Sequence, residues 1–112
     1  RPRATQQCTD VASATRFRAQ TLREIARDLT RIHDPLLTEY QVRDINDTLN
    51  RLLRERRAWE YRIKQLGGPD YTSGTTTTAG GSGDTDTVTV KGYKYFGRAR
   101  ELPDVVQLLQ EA

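Results

Sequence analysis

The side chains able to act as nucleophiles, bases or metal ligands are few and far apart. His33 is the only histidine and Cys8 the only cysteine, with a full helix of chain between them. That arrangement makes no Cys–His nucleophile pair and no paired metal-ligand spacing. The glycine-rich run TSGTTTTAGGSGDTDT at 72–87 lacks a Lys-Ser/Thr ending and a preceding buried strand, so it is no phosphate-binding loop. The carboxylates Asp44, Asp47, Glu55 and Glu60 sit beside arginines at helical spacing. Glu60 is placed to pair with Arg56 or Lys64 as ordinary surface support. His33 reads as a helix-end or solvent-facing residue. The residues therefore assign no catalytic group, no metal site and no cofactor, and the chain reads as a non-enzyme.

What the residue types do offer is phosphate or carboxylate binding. Arg16, Arg23, Arg27 and Arg31 fall on the outer face of a first helix, and Arg51, Arg54 and Arg57 on the outer side of a second. Two readings stay open for them: solvated helix faces, or a basic surface for phosphates or acidic partner segments with salt-dependent affinity. A net charge of +3 and a pI near 9.3 permit such a surface without demanding it. No element resembles a known sequence-reading RNA module, so any RNA contact is expected to be non-specific. Lys94 and Arg98 lie in or beside Tyr93-Lys94-Tyr95-Phe96-Gly97, whose interleaved aromatics either stack on bases or fold back to cover the hairpin at Trp59. We expect the packing, because so small a hairpin needs further apolar cover.

The elements that position these arginines follow from periodicity. Val42, Leu49, Arg56 and Ile63 repeat at seven, and so do Ile45, Leu52, Trp59 and Leu66 three residues further on. This apolar seam, broken by Arg56 alone, predicts a helix over 39–66, roughly 42 Å long at 1.5 Å per residue. Thr38 with Gln41 forms a capping-box pattern at its start, and Gly67-Gly68-Pro69 stops it. Arg56 is expected to fix register or snorkel outward, the other reading being a point of contact with another protein.

A first helix is predicted over 11–32, capped by Asp10 or Thr9 and ended by His33-Asp34-Pro35. Its seam is read as Val11, Thr15, Arg18, Leu22, Ile25, Leu29 and Ile32, with tight packing concentrated over Leu22–Ile32. Ala12, Ala19 and Ala26 on its flank are expected to allow close approach of the second helix. The short link makes the two helices antiparallel neighbours. The expected fold is all-α, a coiled-coil-like helical hairpin. Its parts are an irregular arm at 1–9, the hairpin at 10–71, a flexible low-complexity loop at 72–90, and the GYKYFG segment with a short helix at 91–112. Val88–Val90 are expected to be at most briefly extended.

Composition agrees with an interaction module. Apolar residues make up 35% and the mean hydropathy is -0.78, against the roughly 45–50% apolar content of ordinary globular chains. A lone cysteine excludes an internal disulfide, and no apolar run approaches a membrane span. The Asn46-Asp47-Thr48 sequon falls mid-helix and is read as chance. The absence of methionine and the start at Arg1 are expected of an excerpt from a longer protein.

RDINDTLNRLLRERRAWEYRIKQLGGPDY, followed after a loop by GYKYFGRARELPDVVQLL, closely resembles the Isy family of pre-mRNA splicing factors, the interactors of the Syf scaffold. The resemblance rests on two motifs in the right order: Leu66, Gly67, Gly68, Pro69, Asp70 and Tyr71, then Gly92, Tyr93, Lys94, Tyr95, Phe96 and Gly97. It covers nearly all of the chain outside the loop. It implies a nuclear, non-enzymatic spliceosome subunit associated with the NineTeen complex, helping to form or stabilise the catalytic core for branching. The implied partners are Syf-type helical-repeat proteins and the large central scaffold of that core. Arginine contact with small nuclear RNA or intron is the alternative, and no membrane or small-molecule substrate is implied. Family members begin with a further helix towards the RNA active site and continue into a long C-terminal region. Neither is in this sequence, so contact with the catalytic RNA is not carried over.

Overall fold

Helix α1 (Val11–Arg31) starts where Asp10 accepts a hydrogen bond from the Ser13 amide at 2.8 Å. Helix α2 (Glu39–Gln65) starts at Thr38, where the Thr38 and Gln41 side chains each accept from the other's backbone amide in a complete capping box. These elements are seen in a computed structural model that describes residues 1–72 and 87–111. The second helix ends in a Schellman arrangement: Gly67 N–H donates to Lys64 O and Gly68 N–H to Ile63 O, at 3.1 and 2.8 Å. Gly67 takes φ +94, a left-handed geometry that costs a residue with a Cβ about 1–2 kcal/mol.

The fold is mainly helical, but the all-α expectation needs correction. Strand β1 (Thr87–Val90) pairs antiparallel with β2 (Tyr93–Phe96), with Val90 opposite Tyr93. Lys91 (φ 52) and Gly92 (φ 84) form the two-residue loop between them, both left-handed, as a type I′ turn requires. The flexible-loop reading of 72–90 thus fails at 87–90, and its remainder, 73–86, lies outside the described residues. A 3-10 turn at Gly97–Glu101 leads into α3 (Pro103–Glu111), with Pro103 in its first position.

The hairpin seam on α2 is buried as read: Val42, Ile45, Leu49, Leu52, Trp59 and Ile63 are at most 5% exposed, while Leu66 is half-buried at the helix end. One of the two rows of the α1 seam is shifted by one position from its reading. Ile25 and Ile32 are buried, but Thr15, Leu22 and Leu29 are only half-buried, and the deeper positions are Ala14, Thr21 and Asp28. Small side chains at 14 and 21 let the helices approach, where Ala12 and Ala26 face solvent and Ala19 is half-buried. Thr21 is tolerated inside because its hydroxyl donates to the Phe17 carbonyl at 2.9 Å.

Packing is not concentrated in the second half of α1. One apolar cluster joins Ile25, Ile32, Val42, Ile45, Leu49 and Leu52 to Phe96, Ala99, Leu102 and Val105. A second surrounds Trp59 and Ile63 with Cys8, Ala14, Val11, Phe17, Leu66 and Tyr71. The arm at 1–9 forms part of this second cluster. Arg62 holds it by donating to the Cys8 carbonyl at 2.8 Å and to Gln6 Oε1 at 3.0 Å.

The GYKYFG segment does not cover the Trp59 end. It lies at the other end of the hairpin, against Asn46, Asn50 and Ile32, while Trp59 is covered by Phe17 at 5.1 Å between ring centroids. The physical reason is polar. β2 brings an unpaired backbone edge that needs partners, and the buried side-chain amides of α2 are those at 46 and 50.

Candidate interaction surface

The two sequence motifs pack on the hairpin through Leu66, Gly68 and Tyr71 in one and Lys94, Phe96 and Gly97 in the other. In the first, Gly68 passes so close to α1 that an added Cβ would sit 2.6 Å from Ile63 Cγ2 and 3.0 Å from Val11 Cγ1. Pro69 turns the chain back, and Asp70 accepts from the Thr72 amide at 2.9 Å, with Lys64 Nζ at 3.4 Å. Tyr71 then lies under the Arg18 guanidinium, 3.9 Å from carbon to ring centroid. Arg18 Nε in turn donates to Glu60 Oε2 at 2.9 Å, and Arg56 Nε donates to the same oxygen at 2.9 Å.

Glu60 is therefore no surface support. It is 5% exposed, held between one arginine from each helix seam, and Lys64 goes to Asp70 instead. Arg56 is half-buried beside it, its charge matched within the hairpin.

In the second motif, Lys94 N–H donates to Asn50 Oδ1 at 2.8 Å and Phe96 N–H to Asn46 Oδ1 at 2.9 Å. Both asparagines return a donor to the Lys94 carbonyl, at 3.0 and 2.8 Å. The sequon asparagine is thus buried with its amide engaged on both sides, which agrees with reading the sequon as chance. Gly97 (φ 48) packs on Ile32 and the His33 ring, where a Cβ would meet either at 2.9 Å. Arg98 donates to the carbonyls of Asp34 and Leu37, tying the interhelical link to this motif. Sequence reasoning did not see this role for Arg98, nor the pairing role of Asn46 and Asn50. Two asparagines one turn apart beside an apolar seam were the available signal.

Tyr93 donates to Asp47 and meets Tyr95 edge-on at 5.3 Å. Burial, and then that hydrogen bond, push its phenol up to about 12. A cleft of about 300 Å³ lies beside it, lined by Arg43, Asp47, Tyr93, Tyr95, Asp104 and Leu108 among others. Arg43 closes one wall by a bidentate pair with Asp104 at 2.9 and 3.0 Å, which holds the Asp104 carboxyl below its ordinary range.

Exposed arginines set the outer electrostatics, while Arg1 joins Arg18, Arg56, Arg62 and Arg98 in binding within the fold. Arg1 clamps both helices, donating to Glu24 at 2.6 and 2.8 Å and to Glu55 at 2.5 and 3.1 Å. The Arg1 hydrogen bonds hold Glu24 below its ordinary range. At Glu55 burial pushes upward, but the bonds from Arg1 and from Trp59 Nε1 outweigh it. Of the arginines read as contact residues, Arg16, Arg23, Arg27, Arg31, Arg54 and Arg57 are exposed, whereas Arg98 is half-buried. Arg27 and Arg31 flank buried Asp28 at 3.7 and 3.1 Å. Lys94 is half-buried, its amine donating to Thr89 Oγ1 at 3.2 Å. Among the described residues no cluster of His, Cys, Asp and Glu is arranged to hold a metal ion, and no helix is long and apolar enough to cross a membrane.

These features define a class: a helical hairpin whose motif residues build its own ends and which presents Arg16, Arg23, Arg27, Arg31, Arg54 and Arg57 outward. The chain belongs to the Isy1-like splicing family, whose model matches residues 1–112. It is similar to the pre-mRNA-splicing factor isy1 of Aspergillus fumigatus, 44% identical over all of this chain and 46% of that protein. Pre-mRNA-splicing factor ISY1 of Debaryomyces hansenii is 45% identical over 97% of this chain and 38% of its own length. The Cryptococcus neoformans protein of that name is 46% identical over 96% of this chain and 31% of its own length. The chain spans less than half the length of these curated relatives.

Proposed function

We propose that this chain is a non-catalytic docking module of the spliceosome that helps assemble or stabilise the catalytic core for the branching step. Its partners would be Syf-type helical-repeat proteins of the NineTeen complex and the large central scaffold of the core, in the nucleus. The observation that carries this reading is the family match along the whole chain, in relatives named as pre-mRNA splicing factors. The fold supports it physically. Tyr71, Phe96, Gly68 and Gly97 build the hairpin ends, so the module keeps a defined shape while its outer faces stay available. Splicing chemistry would belong to RNA and its metal ions, with this chain contributing position only.

The test is depletion of the parent protein from a splicing extract, followed by add-back of protein with or without this segment. Branched intermediate should be restored only when the segment is present, and the segment should co-purify with splicing complexes. Unchanged branching together with no co-purification would sink the proposal.

A further inference from the structure

Helix α2 separates its charges by side. Between positions 51 and 65 the exposed residues are Arg51, Arg54, Arg57, Tyr61, Lys64 and Gln65. Both carboxylates of that stretch are drawn inward, Glu55 to Arg1 and the Trp59 indole, Glu60 between Arg18 and Arg56. From Arg51 to Gln65 the outer side of α2 is left cationic, whereas Glu39, Asp44 and Asp47 are exposed nearer its start. The row on α1 differs, because Asp28 lies against Arg27 and Arg31 and offsets part of their charge.

Tyr61 stands inside the α2 stripe with 57% of its surface in water. It follows Arg57 by four residues and precedes Lys64 by three, so the three side chains share one helical face. Lys64 leans towards Asp70 at 3.4 Å, but neither Arg57 nor Tyr61 has a hydrogen-bond or ion-pair partner among the described residues. The core does not need the ring, since Trp59 and Phe17 already fill this end of the hairpin. An exposed aromatic face between cations matches the two parts of a single strand, a base to stack and phosphates on either side. An acidic protein segment would use the cations and leave the ring idle. A duplex keeps its bases stacked on one another and away from a flat helix face.

We propose that the outer stripe of α2, formed by Arg54, Arg57, Tyr61 and Lys64, binds single-stranded RNA, with Tyr61 stacking on a base and the cations holding the flanking phosphates. This surface is independent of the protein-docking reading above. The stripe spans about 15 Å of helix from Arg54 to Lys64, enough for a short run of nucleotides.

The probe is a fluorescently labelled oligouridylate of about ten nucleotides, within the usual single-strand site sizes, titrated with the whole chain at low and at physiological salt. Wild type should raise the anisotropy. Tyr61→Ala should weaken binding on the order of tenfold and Tyr61→Phe should restore it. Arg57→Gln should flatten the logarithmic salt dependence by about 0.7. Circular dichroism of each variant should match wild type, as both positions are exposed. Absence of binding by wild type, or equal affinity for wild type and Tyr61→Ala, would overturn the proposal. So would tight binding of an oligoglutamate peptide without binding of the RNA, which would assign the stripe to an acidic protein segment.

Discussion

Asn50 meets Lys94 twice: the Lys94 amide donates to Asn50 Oδ1 and Asn50 Nδ2 donates to the Lys94 carbonyl, both at 2.8 Å. One side chain thus supplies the pair of bonds that a neighbouring strand would give. Asn46, one helical turn earlier, extends the pairing to Phe96 at 2.9 Å. An isolated two-stranded hairpin is marginal in water. Here its open edge is closed by a helix, which is how a four-residue strand pair persists in a mainly helical fold.

Replacing Asn50 by Ala should strand the Lys94 amide, while the Lys94 carbonyl keeps its bond from Asn46 Nδ2 at 3.0 Å. The expected loss is about 1–3 kcal/mol, the cost of one buried unsatisfied group. Urea denaturation of the variant measures it directly. A loss under about 0.5 kcal/mol, the range of neutral surface changes, would show that water replaces the asparagine.

Glu60 is the acceptor shared by the two seam arginines, so Glu60→Ala should take from Arg18 and Arg56 the carboxylate oxygen that both bind. The cost expected for breaking such a pair is about 3 kcal/mol. Glu60→Gln keeps one acceptor oxygen and should fall between the two. Thermal unfolding of the three proteins gives the order, and equal midpoints would refute the bridge.

The adjacent glycines of the first motif should respond for different reasons. Gly67→Ala meets nothing within 4 Å but must hold φ +94, a strain of about 1–2 kcal/mol. Gly68→Ala puts a methyl 2.6 Å from Ile63 Cγ2, an overpacking cost of about 1–3 kcal/mol. Adding Ile63→Ala, which removes the Cγ2 methyl, should offset part of the Gly68→Ala cost and none of the Gly67→Ala cost, which the double-variant cycle reads.

Acid should loosen the arm from the hairpin. Glu24 and Glu55 are held below their ordinary range, so their contribution is complete above the unfolded value of about 4.3. It is lost as pH falls through their lower folded values. Tryptophan fluorescence should follow that loss, since Trp59 Nε1 donates to Glu55 at 3.0 Å. Arg1→Ala should move the acid transition to higher pH, and an unmoved transition would contradict the clamp.

At the alkaline end the sign is set by Tyr93, whose phenol is raised from 10.0 to about 12. Its contribution is complete below the unfolded value and is lost as pH rises through the folded one. Tyr93→Phe should remove the latest-titrating tyrosinate from an ultraviolet titration. A normal tyrosinate curve in wild type would rule out the bond to Asp47.

Both helices, their caps and the apolar α2 seam could be read from the chain alone, because Asp10, Thr38 with Gln41, and Gly67 act within a turn of themselves. A period of seven is likewise local, and so was the ending at LGGPDY. What only the tertiary structure decided lies in contacts between distant positions. One row of the α1 seam shifted by one residue because Ala14, Thr21 and Asp28 fit against α2 better than a count of apolar residues suggests. The GYKYFG strand went to the opposite end of the hairpin because its edge needed Asn46 and Asn50, forty-four positions from Asn50 to Lys94. The inward turn of Glu55 and Glu60, which leaves the 51–65 part of α2 cationic outside, required Arg1 and Arg18 from elsewhere in the chain. Local hydrogen bonding and periodicity specify elements, whereas the face each element presents depends on which distant groups must be desolvated together.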